Sequence, residues 1–170
     1  MSESPPTFRP LERSDFPLLQ RWLAEPHVDA WWHQKLDLDG LERRYGPYID
    51  GTAPAYGFVI QQDVRPIGFT QWYRWADYPD YAAPVNAGPQ SAGIDLFIGE
   101  LDMIGLGIGP RVIREFVHGI VFADSRMTSV IADPAVENLQ SVRAFEKAGF
   151  TATNVIQRAG EDFERRLMRL

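Results

Sequence analysis

The chain has 170 residues, 45% of them hydrophobic, which fits one globular domain covering residues 1–170. It has no cysteine, which excludes disulfides, thiolate metal sites and a covalent acyl intermediate on sulfur. The formal net charge of −6 disfavours non-specific binding to nucleic acid and favours cationic partners.

The N-terminal residues show no basic region followed by an apolar one, and no apolar run approaches the roughly 18 residues that a spanning helix needs. We therefore expect a cytoplasmic protein that has no membrane partner and binds no metal, as a monomer or homodimer.

The first elements are predicted from apolar spacing. A short strand at 7–11 precedes a helix with N-cap signals at Ser14 and Asp15. Its inner face is Phe16, Leu19, Trp22 and Leu23. Residues 25–32 form an aromatic segment interrupted by Pro26, and Trp31 and Trp32 there either fill the core or form a wall of an acceptor site. A second helix is predicted at 37–48, with Leu38, Leu41, Tyr45 and Tyr48 facing inward.

Two antiparallel strands follow at 55–60 and 67–75, joined by the turn-rich linker 61–66. Residues 76–92 are rich in Pro, Gly, Asp and Tyr without an apolar period, which predicts a long surface loop, and such loops are often functional. Between residues 66 and 110 the only base is Arg74, against the acids Asp77, Asp80, Asp95, Glu100 and Asp102.

A glycine-rich stretch after a predicted strand at 93–99 is the main signal for function. Its residues are Ile104, Gly105, Leu106, Gly107, Ile108, Gly109 and Pro110. They open a helix with an apolar face of Val112, Ile113, Phe116, Val117 and Ile120. The first helical turn has N–H groups without internal partners, and glycines let a ligand approach them, so the stretch predicts a phosphate-binding turn. Pro110 stands where a Rossmann motif needs glycine, and no Gly-Lys-Ser/Thr triplet exists.

The last third predicts a strand at 128–133, a helix from Asn138 to a stop at Gly149, and a closing hairpin of 150–156 and 163–170. The helix stripe predicted to face inward is Leu139, Val142, Phe145 and Glu146. The resulting order is strand, helix, strand, helix, strand.

Residues 94–117 and 138–150 resemble the two motifs of the GNAT acetyltransferase superfamily. The resemblance implies an α+β (α/β/α-like) single GNAT-type domain. Its mixed, mostly antiparallel sheet would have about six to seven strands, flanking helices and a splayed central strand pair. It also implies acetyl-CoA as co-substrate, with its pyrophosphate on 104–110. Backbone groups of Leu96, Phe97 and Ile98 would pair with the pantetheine arm, and Asn138 would hydrogen-bond the donor.

A narrower resemblance to the aminoglycoside 6'-N-acetyltransferases is carried by Asp80 and by the segments 26–32, 93–95 and 145–150. It implies that Asp80 and Asp95 hold and deprotonate a small cationic amine. Trp31, Trp32 and Tyr45 would line the acceptor site with them. An ionised aspartate is a weak base at its reference pKa of about 4, so Asp95 would anchor the ammonium and relay its proton through water.

Two positions depart from these families. Phe145 stands where the group has a tyrosine proposed as general acid, next to the donor, and has no proton to give. Ile104 replaces the usual Gln or Arg of the glycine loop, so backbone N–H groups must hold the phosphates.

Other functions stay open at this stage. Residues 97–100 also resemble siderophore-building acyltransferases that modify a hydroxylysine-type amine. The two departures are compatible with a non-catalytic CoA-binding sensor, and a structural or partner-binding domain would not bind CoA at all. His27 is interpreted as structural and His118 as having no catalytic role.

Overall fold

The computed structural model describes residues 4–170, which contain a seven-stranded sheet with strand order β1-β2-β3-β4-β5-β7-β6. The strands are β1 (Thr7–Pro10), β2 (Ala55–Gln62), β3 (Arg65–Arg74), β4 (Ser91–Ile98), β5 (Ser129–Ala132), β6 (Thr151–Gln157) and β7 (Glu164–Arg169). The α-helices are α1 (Phe16–Ala24), α2 (Pro26–Trp32), α3 (Leu38–Ile49), α4 (Pro79–Ala82), α5 (Ile108–Gly119) and α6 (Leu139–Lys147).

The sheet is mixed, as predicted. β1 pairs antiparallel with β2, β7 pairs antiparallel with both β5 and β6, and β4 pairs parallel with β5. In the parallel pair, Ser91–Gly93 align with Ser129–Ile131, whereas β4 itself runs on to Ile98. The chain from β4 through α5 to β5 is the crossover that a parallel pair requires.

The chain divides into two compact units. The first contains the described residues up to Trp72 together with Asp95–Ile108, and the second contains Tyr73–Ile94 and Gly109–Leu170. Both the division within β3 and the one within β4 fall inside a strand, so each unit takes part in the sheet.

The core of the first unit is built on α1 and α3. The predicted inner face of α1 is buried, and it packs with Leu11, Val28, Leu41, Tyr45, Val59, Phe69 and Phe97. Asp37 caps α3 by accepting a hydrogen bond from the Gly40 N–H at 2.7 Å. Asp15 stands at the N-cap of α1 without capping it, because its carboxylate binds Arg9 and the Glu12 N–H instead.

Two predictions in this unit were wrong. Pro26 does not interrupt the aromatic segment but begins α2, since proline suits the first helical turn. Leu38 does not face inward: it is 49% exposed because it lies at the start of α3, ahead of the turn that meets the core.

In the second unit, α5 buries Val112, Ile113, Phe116 and Val117 as its spacing predicts. Ile120, the fifth residue predicted for this face, lies just after the end of α5 and is half-buried. α6 begins after Asn138, whose side chain accepts from the Ser141 N–H at 3.2 Å, and Gly149 follows its end with φ +105°.

The second unit also departs from the predictions in two places. The stripe of α6 is narrower than predicted, because Leu139 is 57% exposed and Glu146 is exposed, leaving Phe145 as the buried anchor. The segment 76–92 is not one irregular loop: it contains the short helices Trp75–Asp77, Pro79–Ala82 and Ala83–Val85 before β4 begins at Ser91.

No helix within residues 4–170 combines the length and the apolar character that a membrane crossing would require.

Candidate active site

Asp95 lies on β4 beside a glutamine that the sequence analysis did not identify. Gln71 of the neighbouring strand β3 donates from Nε2 to Asp95 Oδ2 at 2.9 Å. Thr70 Oγ1 donates to the backbone carbonyl of Asp95 at 3.1 Å. Two neighbouring residues of β3 therefore fix both the side chain and the main chain of Asp95.

Gln71 is a buried polar side chain with an incomplete set of hydrogen bonds. It is 5% exposed, and within the described part of the chain its Oε1 atom has no hydrogen-bond partner. Leaving a buried acceptor unpaired costs about 1–3 kcal/mol. Gln62 Oε1 and Arg74 Nε are further buried atoms without a partner among the described residues. The sequence signal for Gln71 was weak, because β3 has other polar residues, among them its neighbour Thr70.

Aromatic residues flank this polar pair on the same face of the two strands. Phe69 precedes Gln71 by two residues and Phe97 follows Asp95 by two, so all four side chains share one face. Trp32 packs against Phe97 with ring centroids 4.8 Å apart, and Tyr45 packs against Phe69 at 5.3 Å. The carboxylate of Asp95 thus lies at the border of an aromatic cluster.

The two tryptophans of α2 differ in environment. Trp32 packs on the core, whereas Trp31 is 41% exposed. The core interpretation therefore fits Trp32, and Trp31 keeps the exposure that a wall of an acceptor site requires.

Tyr45 was predicted to line the acceptor site, but it is fully buried. Its hydroxyl donates to Gln34 Oε1 at 3.0 Å. Burial raises the pKa of Tyr45, and the nearby charge of Asp95 contributes to this rise. Tyr45 is therefore a core residue that supports the aromatic cluster, and the prediction of a direct contact with an acceptor is not retained.

The end of β4 is held by side chains from α1, α2 and β3. The ring Nε2 of His27 lies 2.9 Å from the Ile98 carbonyl oxygen, which is the structural role expected for His27. Glu100 binds the indole N–H of Trp22 at 2.8 Å and the guanidinium groups of Arg21 and Arg65. Burial acts to raise the pKa of Glu100, but these hydrogen bonds and charges outweigh it and lower that pKa.

The glycine loop, residues 104–110, follows Glu100 closely in the chain. Gly105 and Gly107 have φ +78° and φ +73°, the left-handed region that favours glycine, and a Cβ at either position would meet no atom within 4 Å. α5 begins at Ile108, so Gly109 and Pro110 lie in its first turn, whose N–H groups point out of the helix end. Both the loop and the helix start agree with the predicted phosphate-binding turn.

The remaining predicted site residues belong to the second unit. Asp80 lies exposed on α4, next to Tyr81. Asn138 caps α6 while remaining half-buried. Phe145 is 3% exposed and packs against Phe150 with ring centroids 5.1 Å apart, so its side chain is a core residue and not a ligand contact.

α4 is fixed by an arginine from the β6–β7 connection. Arg158 donates to the Tyr81 carbonyl at 2.7 Å, its guanidinium carbon lies 3.5 Å from the Tyr81 ring centroid, and it binds Asp133 Oδ2 at 2.9 Å. Burial raises the pKa of Asp133, and the guanidinium groups of Arg165 and Arg158 oppose that rise. Within residues 4–170 there is no group of three or more His, Asp or Glu side chains arranged to hold a metal ion.

A mixed sheet whose fourth strand leads through left-handed glycines into a helix N-terminus is suited to a transferase that binds a phosphorylated donor. Comparison with known protein families shows which class of transferase this is. The model of the Acetyltransferase (GNAT) domain matches residues 12–158, and the chain belongs to this family. It is an acetyltransferase.

Two curated relatives differ in acceptor. The chain is 27% identical over 147 residues to Aminoglycoside N(6')-acetyltransferase type 1 of Klebsiella pneumoniae, covering 85% of this chain and 73% of that protein. It is 23% identical over 149 residues to Lysine N-acyltransferase MbtK of Mycolicibacterium paratuberculosis, covering 86% of this chain and 66% of that protein.

Solved structures agree with the fold. The crystal structure of aminoglycoside acetyltransferase AAC(6')-Ib with coenzyme A and kanamycin superimposes with a TM-score of 0.87 at 25% identity. The match covers 97% of this chain and 94% of that chain. The predicted fold class and superfamily are thereby confirmed.

Proposed function

We propose that this chain transfers an acetyl group from acetyl-CoA to a primary amine of a small polycationic acceptor, and that this amine is the 6'-amine of an aminoglycoside. The observation that carries the proposal is the Asp95 carboxylate, held by Gln71 beside an aromatic cluster on the strand that leads to the glycine loop. The aminoglycoside-modifying relatives support the choice of acceptor.

The donor is assigned to residues 104–110 and the end of β4. The N–H groups of the first α5 turn and the positive end of the helix dipole suit a pyrophosphate. Because Ile104 has no hydrogen-bonding side chain, main-chain N–H groups must supply the contact at that position. Backbone groups of Leu96 to Ile98 would pair with the pantetheine arm, and the Ile98 carbonyl is already held by His27.

Asp95 is proposed to bind the ammonium group of the acceptor. It anchors the charged amine and accepts its proton through water, which frees the nitrogen lone pair. The lone pair then attacks the thioester carbonyl, an N–C bond forms and the C–S bond breaks. The nitrogen loses its second proton as the amide forms, and that proton passes through water to the leaving thiolate. No tyrosine hydroxyl is needed for this last proton transfer. Asp80 is proposed, as the sequence analysis predicts, to bind an ammonium group of the acceptor.

A second candidate acceptor is a lysine-type or hydroxylysine-type amine of siderophore synthesis, favoured by the lysine N-acyltransferase relative. Both acceptors are cationic amines, so Asp95 would serve either. They differ in length and charge: an aminoglycoside presents several ammonium groups, whereas a hydroxylysine presents one side-chain amine.

A thiol-release assay over a panel of amines tests the proposal. With acetyl-CoA as donor, we expect turnover of kanamycin-like aminoglycosides and much weaker turnover of lysine, hydroxylysine, polyamines and peptide amines. Preference for hydroxylysine would favour the siderophore acceptor. Calorimetric binding of acetyl-CoA without turnover of any amine would contradict the proposal and favour a CoA sensor.

Replacement of Gly105 or Gly107 by alanine is expected to weaken donor binding about tenfold, because each glycine has positive φ and an L-residue there costs about 1 kcal/mol or more. Calorimetry with CoA measures this effect. Gly160→Ala is the matched control, since Gly160 also has positive φ (+84°) and open space around it. It should lose similar stability but keep its CoA affinity. If Gly105→Ala, Gly107→Ala and Gly160→Ala all kept the CoA affinity of the wild type, residues 104–110 would not belong to the donor site.

A further inference from the structure

We propose that His27 is a positioning residue of this acetyltransferase: by donating to the Ile98 carbonyl, it sets the register in which the pantetheine arm of acetyl-CoA pairs with β4. The inference rests on the proposed function, because that function assigns the arm to the end of β4. It deepens the assignment by naming the side chain that decides where the thioester lies along the strand.

The ring of His27 is the donor in its contact with β4. A carbonyl oxygen only accepts hydrogen bonds, so the ring nitrogen Nε2, which lies 2.9 Å from the Ile98 oxygen, must carry a hydrogen. Pro26 begins α2 immediately before His27, and Val28 immediately after it is buried in the core of the first unit. The ring therefore binds the strand from a helix start that is itself held in place.

The Ile98 carbonyl lies on the edge of β4 that faces away from β3. The Ile98 C=O and the Gly99 N–H belong to one trans peptide, so they point in opposite directions. The Gly99 N–H donates to the Ile67 carbonyl of β3 at 2.8 Å. The Ile98 carbonyl therefore points to the other edge, and so does that of Leu96, because main-chain groups alternate along a strand. Both residues keep partial exposure, whereas Phe97 between them is buried.

This edge of β4 offers two carbonyls to the N–H groups of the arm, those of Leu96 and Ile98, and they are roughly 7 Å apart along the strand. Once the Ile98 oxygen accepts a hydrogen bond from His27, it is a weaker acceptor for a second N–H, so the arm pairs with Leu96. His27 thereby disfavours a register shifted by two residues. A shift of that size would move the thioester out of reach of the amine that Asp95 anchors.

Two amide side chains at position 27 separate this contact from polarity alone. The amide nitrogen of glutamine reaches about as far from the main chain as the imidazole Nε2, whereas that of asparagine reaches only about as far as Nδ1. His27→Gln therefore keeps a donor for the Ile98 carbonyl, and His27→Asn loses it. Gln20→Asn is the matched control: Gln20 is also half-buried, and its amide nitrogen donates to the Leu36 carbonyl, outside β4, at 3.3 Å.

Steady-state kinetics and calorimetry with acetyl-CoA compare the three variants. We expect His27→Asn to lower kcat about tenfold or more with an unchanged KM for the amine, because the amine site is intact and only the thioester is misplaced. Its affinity for acetyl-CoA should fall much less than kcat, since the glycine loop still holds the pyrophosphate. His27→Gln should keep most of the wild-type kcat, and Gln20→Asn should change only the thermal midpoint.

Infrared spectra of bound acetyl-CoA with a ¹³C-labelled thioester carbonyl report the register directly. The wild type, His27→Gln and Gln20→Asn should each give one carbonyl band, displaced from that of free acetyl-CoA by the hydrogen bonds of the site. His27→Asn should add a second band nearer the position of the free donor, from arms paired in the shifted register. A purely structural role of His27 would not produce this second band.

The outcomes separate the two proposals. An active enzyme in which His27→Asn has the wild-type kcat and a single band overturns the role of His27 and leaves the proposed function standing. A loss of kcat in His27→Asn that is equally large in His27→Gln also overturns that role. A wild-type chain that gives a displaced thioester band but acetylates no amine overturns the proposed function, whereas one that binds no acetyl-CoA overturns both.

Discussion

Asp95→Asn is expected to lower kcat about 10²- to 10⁴-fold while leaving the affinity for CoA unchanged, because proton transfer by a positioned group contributes that much to such reactions. Asparagine keeps the size of the side chain and still offers an oxygen to the Gln71 N–H. It cannot hold a negative charge or accept a proton. The substitution therefore removes chemistry and leaves packing intact.

Steady-state kinetics with an aminoglycoside and calorimetry with CoA measure the two quantities. Asp102→Asn is the matched control, since it also removes one negative charge from the first unit. Asp102 is exposed and binds Arg65 at the surface, so its loss should change neither turnover nor CoA affinity appreciably. If Asp95→Asn lowered turnover and CoA affinity by the same factor, Asp95 would shape the end of β4 and not the reaction.

The elements that the sequence predicted best are those whose signals are local. α1 and α5 follow from apolar residues at helical spacing, and the turn before α5 follows from glycines that need positive φ. The α6 cap at Asn138 and its end at Gly149 depend only on neighbouring residues.

The features that escaped prediction depend on contacts between distant parts of the chain. The contact between Gln71 and Asp95 depends on how β3 and β4 align, and no local pattern predicts which residue of β4 lies opposite Gln71. Tyr45 and Trp31 were both predicted to line the acceptor site. Tyr45 is instead buried against Phe69, whereas Trp31 is exposed, and neither outcome can be told from the neighbouring residues in the sequence.

The prediction of a single surface loop over residues 76–92 was wrong for a related reason. Its helices have three or four residues, too short to show a period. They are held by long-range hydrogen bonds, from Arg158 to the Tyr81 carbonyl and from Arg169 to the Val85 carbonyl, each at 2.7 Å. The segment that the sequence predicts as a surface loop is thus held in place by hydrogen bonds in the structure, and it carries Asp80.

The pair of Asp133 and Arg158 leads to the largest expected effect on stability. Their side chains are 2% and 8% exposed, and the guanidinium binds Asp133 Oδ2 through both Nε and Nη2. Asp133→Asn leaves the Arg158 charge buried with a weaker partner, which costs about 3–5 kcal/mol. For a chain of this length we expect a fall of about 10 °C in the thermal midpoint, measured by circular dichroism.

Asp124→Asn is the matched control for this change. Asp124 is likewise paired with an arginine, Arg126, but that arginine is 57% exposed, so solvent replaces the lost contact and the midpoint should hardly move. The double variant Asp133→Asn with Arg158→Met should be more stable than Asp133→Asn, because it removes the uncompensated charge as well. Similar midpoints for Asp133→Asn and Asp124→Asn would mean that water reaches the buried pair.

Arg158→Met connects this pair to function, because it also removes the hydrogen bond to the Tyr81 carbonyl and the contact with the Tyr81 ring. α4 then loses its attachment to the β6–β7 connection, and Asp80 loses its fixed position. We expect KM for a polycationic amine to rise several-fold while CoA affinity stays constant. Asp80→Asn should raise the same KM, and combining it with Arg158→Met should add little. An unchanged KM in Arg158→Met, with the midpoint lowered, would confine this arginine to folding and would weaken the assignment of Asp80 to the amine.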